Sequence, residues 1–459
     1  MRSILFVPSV SSSLKSKETI SKLRAKNMGS KLMEFDVVVV GAGIVGLSIA
    51  RQFLLGSDLE VALLDAAVPC SSATGAEGVS GQGYIWMGHR TPGTALWDLS
   101  MRSKTLWERM ADDLQNKGMS PLEVLGWKKT GSLLIGRTSE EFAMLKQKVE
   151  LLSKAGLRAE CLSSSGLNLK EPALEIGKEG GAAFVPDESQ LDASRTVNFI
   201  LKENRNFASK GRYVEFFHDP VVSLIRGSTS GEVKGVRTSK KTLHCRKAVV
   251  IAAGSWSGSL MQSLLSELNI GLDVPIVPRK GQLLVLEKFN LLPLNHAVME
   301  IGYVDHQVAS LDPDLSTSDV VDSHRALTIS MSATTDAMGN LVLGSSHQFA
   351  GFNTEAEDST IHYIWKRAGE FFPTLRQLDL SDLSECKKVR VGLRPYMPDG
   401  KPIISLVPGF PNLLLTAGHE GEGLSMEALG TAEMVFDMVL GNKTKVDCTP
   451  FSVQGRSSC

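Results

Sequence analysis

Phe35-Asp36-Val37-Val38-Val39-Val40-Gly41-Ala42-Gly43-Ile44-Val45-Gly46 decides how this chain is read. Phe35–Val40 is an apolar run of strand length, and Ile44–Leu55 carries apolar residues at helical spacing. Glu60–Asp65 is strand-like again, so about 30 residues spell strand, glycine turn, helix and second strand, a βαβ unit. In such a unit Gly41 permits the tight turn, Gly43 lets backbone approach a pyrophosphate, and Gly46 lets helix pack closely on strand. The helix N-terminus adds amides and the positive end of a dipole. Asp65 lies 19 residues after Gly46, where an acid would hydrogen-bond adenosine ribose hydroxyls and disfavour a 2′-phosphate. The reading is a dinucleotide site not suited to NADP; FAD and NAD both stay open at this point.

Outward from this unit, the composition is that of a globular protein. Of 459 residues 42% are hydrophobic and 22% charged, ample for a large core. The net charge of −1 gives no bulk attraction for nucleic acid or anionic membrane. No run of 18 apolar residues is uninterrupted, so no membrane span is expected. The six cysteines (Cys70, Cys161, Cys245, Cys386, Cys448, Cys459) are scattered without zinc or redox spacing. Histidines show no metal-ligand spacing, so no metal site is proposed.

Charge is unevenly placed. Residues 1–33 hold seven basic residues, eight serines and one acid, Glu18, which leaves an acidic body. A basic, Ser-rich, acid-poor segment is the composition of a transit peptide, with plastid expected and mitochondrion the alternative.

Three further features favour FAD. Ala248–Ala253 is a continuous apolar run ending at Gly254, as expected of a strand buried on both faces. Ala73-Thr74-Gly75, continuing to Gly81-Gln82-Gly83, supplies a glycine loop after the second strand of the unit. Thr416-Ala417-Gly418-His419-Glu420-Gly421-Glu422-Gly423 repeats strand, glycine loop and helix near the C-terminus, where a helix N-terminus would stabilise reduced flavin. Elsewhere, residues 95–118 and 138–155 read as amphipathic helices. Val221–Ile225, Val233–Thr238 and Thr242–His244 read as a small antiparallel meander, and the polar segment 309–326 as an exposed loop.

Taken in order, GAGIVG, Asp65, ATGA with GQGYIW, VVIAAGSWS, VPRKGQ, GLRPYMPDGKPII and LLLTAGHEGEG resemble the D-amino acid oxidase family of FAD-dependent oxidoreductases. The glycine oxidase and D-amino acid dehydrogenase branches are the most similar, over about Phe35 to Gly441. The resemblance implies an α/β (α+β) fold, a Rossmann-like FAD-binding domain interleaved with a largely antiparallel-sheet substrate domain. Segments 34–118, 187–272 and 386–447 would form the first, 119–186 and 273–385 the second, with 448–459 a tail.

Carried over by position, Gly41, Gly43, Gly46 and Asp65 would bind the ADP half of FAD, with Thr74 in the loop beside it. Gly81, Gln82 and Gly83, with Gly418, Gly421 and Gly423, would lie against the isoalloxazine, and Gly254 near the pyrophosphate. Val221 or Val222 falls where the family's backbone contacts adenine. Arg394 matches the arginine that pairs with the substrate carboxylate, through the two parallel hydrogen bonds a guanidinium offers. His419 is a candidate partner of flavin or substrate, and His89 a weaker one. Tyr84, Trp86 and Tyr396 are candidate bordering aromatics.

Three departures matter. Gly392 stands where sarcosine oxidase relatives attach FAD through cysteine, so non-covalent FAD is expected. Glu77–Ser80 is an insertion in the flavin loop. Glu420 and Glu422 replace a glycine oxidase arginine and read as solvated loop acids, the alternative being a site for a second amine.

The expected reaction is oxidation of the C–N bond of a small amino acid or N-substituted amino acid, by hydride transfer to flavin N5. Oxygen or another acceptor would reoxidise the flavin. The alternatives are a 2-hydroxy acid dehydrogenase on the same scaffold and a non-catalytic FAD-binding assembly or regulatory protein.

Overall fold

The computed structural model describes residues 33–71, 81–227, 231–268, 270–302 and 327–456. The expected transit peptide up to residue 32, Thr74, the insertion Glu77–Ser80 and the segment 309–326 lie outside them.

Met33–Val40 forms a strand because its valines are buried on both faces. It pairs in parallel with Val61–Leu64 on one side and Thr242–Ile251 on the other. Tyr213–Phe216 and Leu413–Ala417 extend the parallel set, and Ile403–Leu406 adds an antiparallel edge. Val37 and Val39 pack under the helix Ile44–Gly56, with its Leu47, Ile49, Ala50 and Phe53. Val38 and Val40 face the opposite layer, where Met261 and Leu264 of the helix Ser257–Ser266 cover them. Each such buried side chain contributes about 1.5–3 kcal/mol relative to exposure, which fixes the strand in register.

Val221–Arg226 and Val233–Thr238 join this first sheet through Thr242. The expected meander and the expected buried strand at 248 are therefore one element. Thr242–Ile251 runs antiparallel to Val233–Thr238 in its first half and parallel to Met33–Val40 along its length.

A second sheet of eight strands is mostly antiparallel. Its longest pairing joins Val277–Leu286 to Lys387–Tyr396, residue by residue, with Arg279 opposite Arg394. By pairing, Lys387–Tyr396 belongs to this sheet, so the expected boundary at 386 falls one strand too early. A small third sheet pairs Ser189–Gln190 with Tyr84–Ile85 on one side and Lys128–Lys129 on the other.

No helix among the described residues is long and apolar enough to cross a membrane.

Candidate functional site

The carboxyl ends of the parallel strands open on a cavity of about 620 Å³. Val40, Leu64, Ala252 and Thr416 mark those strand ends, and Leu283, Met299 and Arg394 close the cavity from the second sheet. A crevice outside the carboxyl ends of a parallel sheet is where doubly wound folds take their ligands.

The three glycines of the first turn do different work. Gly41 has φ +109°, and a Cβ there would stand 2.3 Å from the Ala252 carbonyl oxygen. A Cβ on Gly46 would stand 1.9 Å from the Gly41 carbonyl oxygen, so only glycine lets this helix reach the strand. Around Gly43 there is open space, and the residue lines the cavity. The helix that follows has no side-chain cap and no acid in its first turn, which leaves its amides to a ligand. Asp65 lines the same end, its carboxylate accepting from the N–H groups of Ala42 at 2.7 Å and Ala67 at 2.8 Å. A carboxylate has about four lone-pair sites, so acceptor capacity remains for ribose hydroxyls. Val221 lines the cavity, whereas Val222, next on the strand, is 43% exposed and does not. Strand alternation turns the Val221 side chain to the cavity and the Val222 side chain to solvent.

At the other end, Gly83 has φ +74° and stands where a Cβ would meet the Leu191 carbonyl oxygen at 2.0 Å. Gln82 ties this loop to the second sheet, its Oε1 accepting from the Ser332 hydroxyl at 2.9 Å. Its buried Nε2 has no protein acceptor, a donor left over at the cavity wall. Gly81, Gly254, Gly421 and Gly423 line the cavity, and Gly254 again meets open space. Gly418 has φ +88° and is packed on Met397 beside it. The expected C-terminal helix starts later than its sequence pattern implied. Gly423–Glu427 is a π turn, and the α-helix runs from Ala428 to Leu440. Open backbone at Gly43 and Gly254, with the spare donor of Gln82, fits an extended dinucleotide lying from the first helix to the C-terminal loop.

Arg394 lies over Gly281, where a Cβ would stand 2.3 Å from its Nη1. That Nη1 donates to the Ser346 carbonyl at 2.9 Å, which holds the guanidinium flat against the strand. Directly opposite in register, Arg279 is buried, lies 4.9 Å over the Tyr396 ring and donates to Glu420 at 2.5 and 3.1 Å. Glu420 Oε1 is also 3.9 Å from Arg394 Nε.

The two glutamates are therefore not solvated loop acids, as their sequence context implied. Glu422 lies 3.5 Å from Nε2 of the buried His89 and 3.8 Å from the buried Arg90. Burial alone would raise its pKa, but His89, Arg90 and Arg394 outweigh it and hold the carboxyl at about 2. Arg90 reaches a second acid, Glu427, at 2.9 Å. Burial pushes Glu427 up to about 8, with Arg90 only partly offsetting it. Burial also lowers the pKa of His89.

His419 lines the cavity, and its Nε2 is shared with the Thr431 hydroxyl at 3.0 Å. Burial drives its pKa down to about 3, so it is neutral at working pH and anchored to the C-terminal helix. Tyr84 lines the cavity and stacks on Trp86 at 4.2 Å, while Trp86 and Tyr396 lie outside the lining. Arg279 and Arg90 were not foreseen; the only signal was their place beside motif residues, in VPRKGQ and after His89. Among the described residues no cluster of acids, histidines or cysteines is arranged to hold a metal ion.

The model of the DAO family, FAD dependent oxidoreductase, matches residues 36–438. Glycine oxidase from Pseudomonas aeruginosa is 25% identical over 443 residues, 92% of this chain and 99% of that protein. Hydrogen cyanide synthase subunit HcnC from Pseudomonas protegens is 23% identical over 450 residues, 92% of this chain and 96% of that protein. In fold, the chain matches the crystal structure of glycine oxidase from Geobacillus kaustophilus with a TM-score of 0.72 at 20% identity, covering 92% and 99% of the two chains. The chain belongs to the DAO family of FAD-dependent oxidoreductases, and FAD is its cofactor.

Proposed function

With membership of this family as the premise, we propose that the chain oxidises the C–N bond of a small amino acid or N-substituted amino acid. The observation that carries the reading is Arg394, a guanidinium held flat on the wall of the same cavity that the glycine turn opens. FAD, when bound, supplies the acceptor for the hydride that leaves the substrate α-carbon. Gly41, Gly43 and Asp65 would hold its ADP half, with Gly46 seating the helix behind them, and the stretches Gly81–Gly83 and His419–Gly423 its ring system, with Gly418 shaping the second turn. Gly392 has no side chain to link it, which supports non-covalent binding.

Arg394 binds the carboxylate and so fixes the α-carbon in position, a contribution of orientation rather than of acid–base chemistry. Leu283 and Met299 give the cavity an apolar wall, which would keep water from a substrate bound against it. With the amine neutral, its lone pair forms the C=N bond as hydride departs. Water then releases ammonia or an amine, leaving a keto acid, or an aldehyde acid from glycine. Oxygen or another acceptor removes the electrons.

Anaerobic mixing of the yellow holoprotein with glycine, sarcosine, D-amino acids and 2-hydroxy acids tests the reading. Bleaching by amino acids is expected. Bleaching by hydroxy acids alone would overturn it in favour of a hydroxy acid dehydrogenase.

A further inference from the structure

Resting on that reading, we propose that Glu422 is the amine pole of the substrate site, the carboxylate that receives the substrate's ammonium group on binding while Arg394 receives its carboxylate; one ammonium proton then passes to solvent, and the neutral amine left for the oxidation stays hydrogen-bonded to Glu422. Both residues line one cavity, on either side of the short turn Glu420–Glu422. Gly421, between the two glutamates, is placed so that a Cβ would lie 3.5 Å from Arg394 Nε. The turn therefore sets a positive and a negative group against the same space, which is the charge pattern of a zwitterion.

Glu420 is the less available of the two: its Oε1 accepts from Arg279 at 2.5 and 3.1 Å and lies 3.9 Å from Arg394 Nε, so two arginines already neutralise its charge and only the buried Oε2 stays open. Glu422 differs in kind. Its nearest basic neighbours stand off at 3.5 and 3.8 Å, and it lines the same cavity. The groups beside it are more buried, with 3% side-chain exposure at His89, which also lines the cavity, and 8% at Arg90. His89 has neither ring nitrogen in a hydrogen bond, with Glu422 Oε1 its near neighbour at 3.5 Å. Arg90 meanwhile directs its closer contact, 2.9 Å, to Glu427. Glu422 is thus fixed as a carboxylate by charge around it, and with His89 only at 3.5 Å and Arg90 at 3.8 Å most of its acceptor sites stay open to a ligand. An ammonium group offers the three donors that such a carboxylate lacks. A hydroxyl in the same place offers one donor and no charge, so Glu422 selects amino acids over 2-hydroxy acids of the same size.

The test uses the FAD-loaded protein and two ligands that differ only at this group, glycine and glycolate, with binding read from the perturbed flavin spectrum under anaerobic conditions. Glu422→Gln is expected to weaken glycine by about ten- to hundredfold, the loss of one charged hydrogen bond, with glycolate changed less than twofold. Arg394→Met is expected to weaken both. Equal effects of Glu422→Gln on the two ligands, or none on either, would overturn the assignment of Glu422. Retention of both ligands by Arg394→Met would overturn the parent reading instead. Should Glu422→Gln lose FAD, Glu422→Asp keeps the question open to measurement, because it retains charge one methylene further back. A preference for glycine over glycolate in that variant supports the assignment, and its complete loss refutes it.

Discussion

The dinucleotide cradle and the Arg394–Glu422 wall border one cavity, and they are built by opposite means. The cradle is backbone. Its turn, helix and second strand lie within Met33–Asp65, and its working features are places where a side chain is missing. The opposite wall is side chain. Arg394, Arg279, Glu422 and His89 come from four separate stretches of chain, and each acquires meaning only from a neighbour distant in sequence. A cofactor shared by a whole family suits the first kind of construction. A substrate particular to one member suits the second, which can change one charge at a time.

The contrast breaks most visibly at Gly46. Gly46→Val forces atoms to within 1.9 Å of the Gly41 carbonyl, beyond any relaxation of a backbone contact. The expected outcome is loss of more than about 4 kcal/mol, read as protein that is insoluble or purifies without yellow colour. Next in size is Arg394→Met, which should raise the concentration of carboxylated substrate needed by roughly a hundredfold, about 3 kcal/mol, in steady-state kinetics. FAD content in that variant should stay normal, since Arg394 belongs to the other wall; a colourless variant would erase the distinction between the two. Asp65→Asn is smaller. It keeps the site's shape and weakens FAD by about tenfold, measured by flavin release on dilution, because a charged acceptor becomes a neutral amide.

The smallest effects are on stability against pH, and they come from the buried groups between the walls. His419 has a folded pKa near 3, below its ordinary value, so the unfolded chain takes up its proton first as pH falls. Its contribution is complete above about pH 6.5 and is lost as pH drops towards about 3. Glu427 runs the other way. Its folded pKa near 8 is above the ordinary 4.5, so stability is lost as pH rises across that interval. Glu427→Gln should remove that alkaline decline, visible as a few degrees less change in Tm between pH 5 and pH 8 by scanning calorimetry. An unchanged slope would mean that Arg90 keeps Glu427 ionised.

How much was legible in the sequence follows the same division. The strand, turn, helix and strand from Phe35 to Asp65 could be read because apolar period and glycine position are local properties. Thr242–Ile251 divides into two pieces on sequence alone because Arg246 and Lys247 interrupt its apolar pattern. In the fold, Arg246 meets Glu34, Asp36 and Glu60, three acids no local window connects to it. The alternation of Lys387–Leu393 reads as a strand, but neither its extension to Tyr396 nor its sheet is local information, since pairing with Val277–Leu286 is a long-range choice. Glu420 and Glu422 looked like loop acids for the same reason: their arginines come from other strands and loops. Family resemblance supplied Arg394, and nothing local would have separated it from a surface arginine.

The most direct test of the central claim is anaerobic bleaching of the bound flavin by glycine and D-alanine set against methylamine and ethylamine, which lack only the carboxylate. Rapid bleaching by the amino acids, little or none by the amines, and loss of that difference in Arg394→Met is the predicted result. Amines that bleach the flavin as readily as the amino acids would contradict an account in which Arg394 places the substrate.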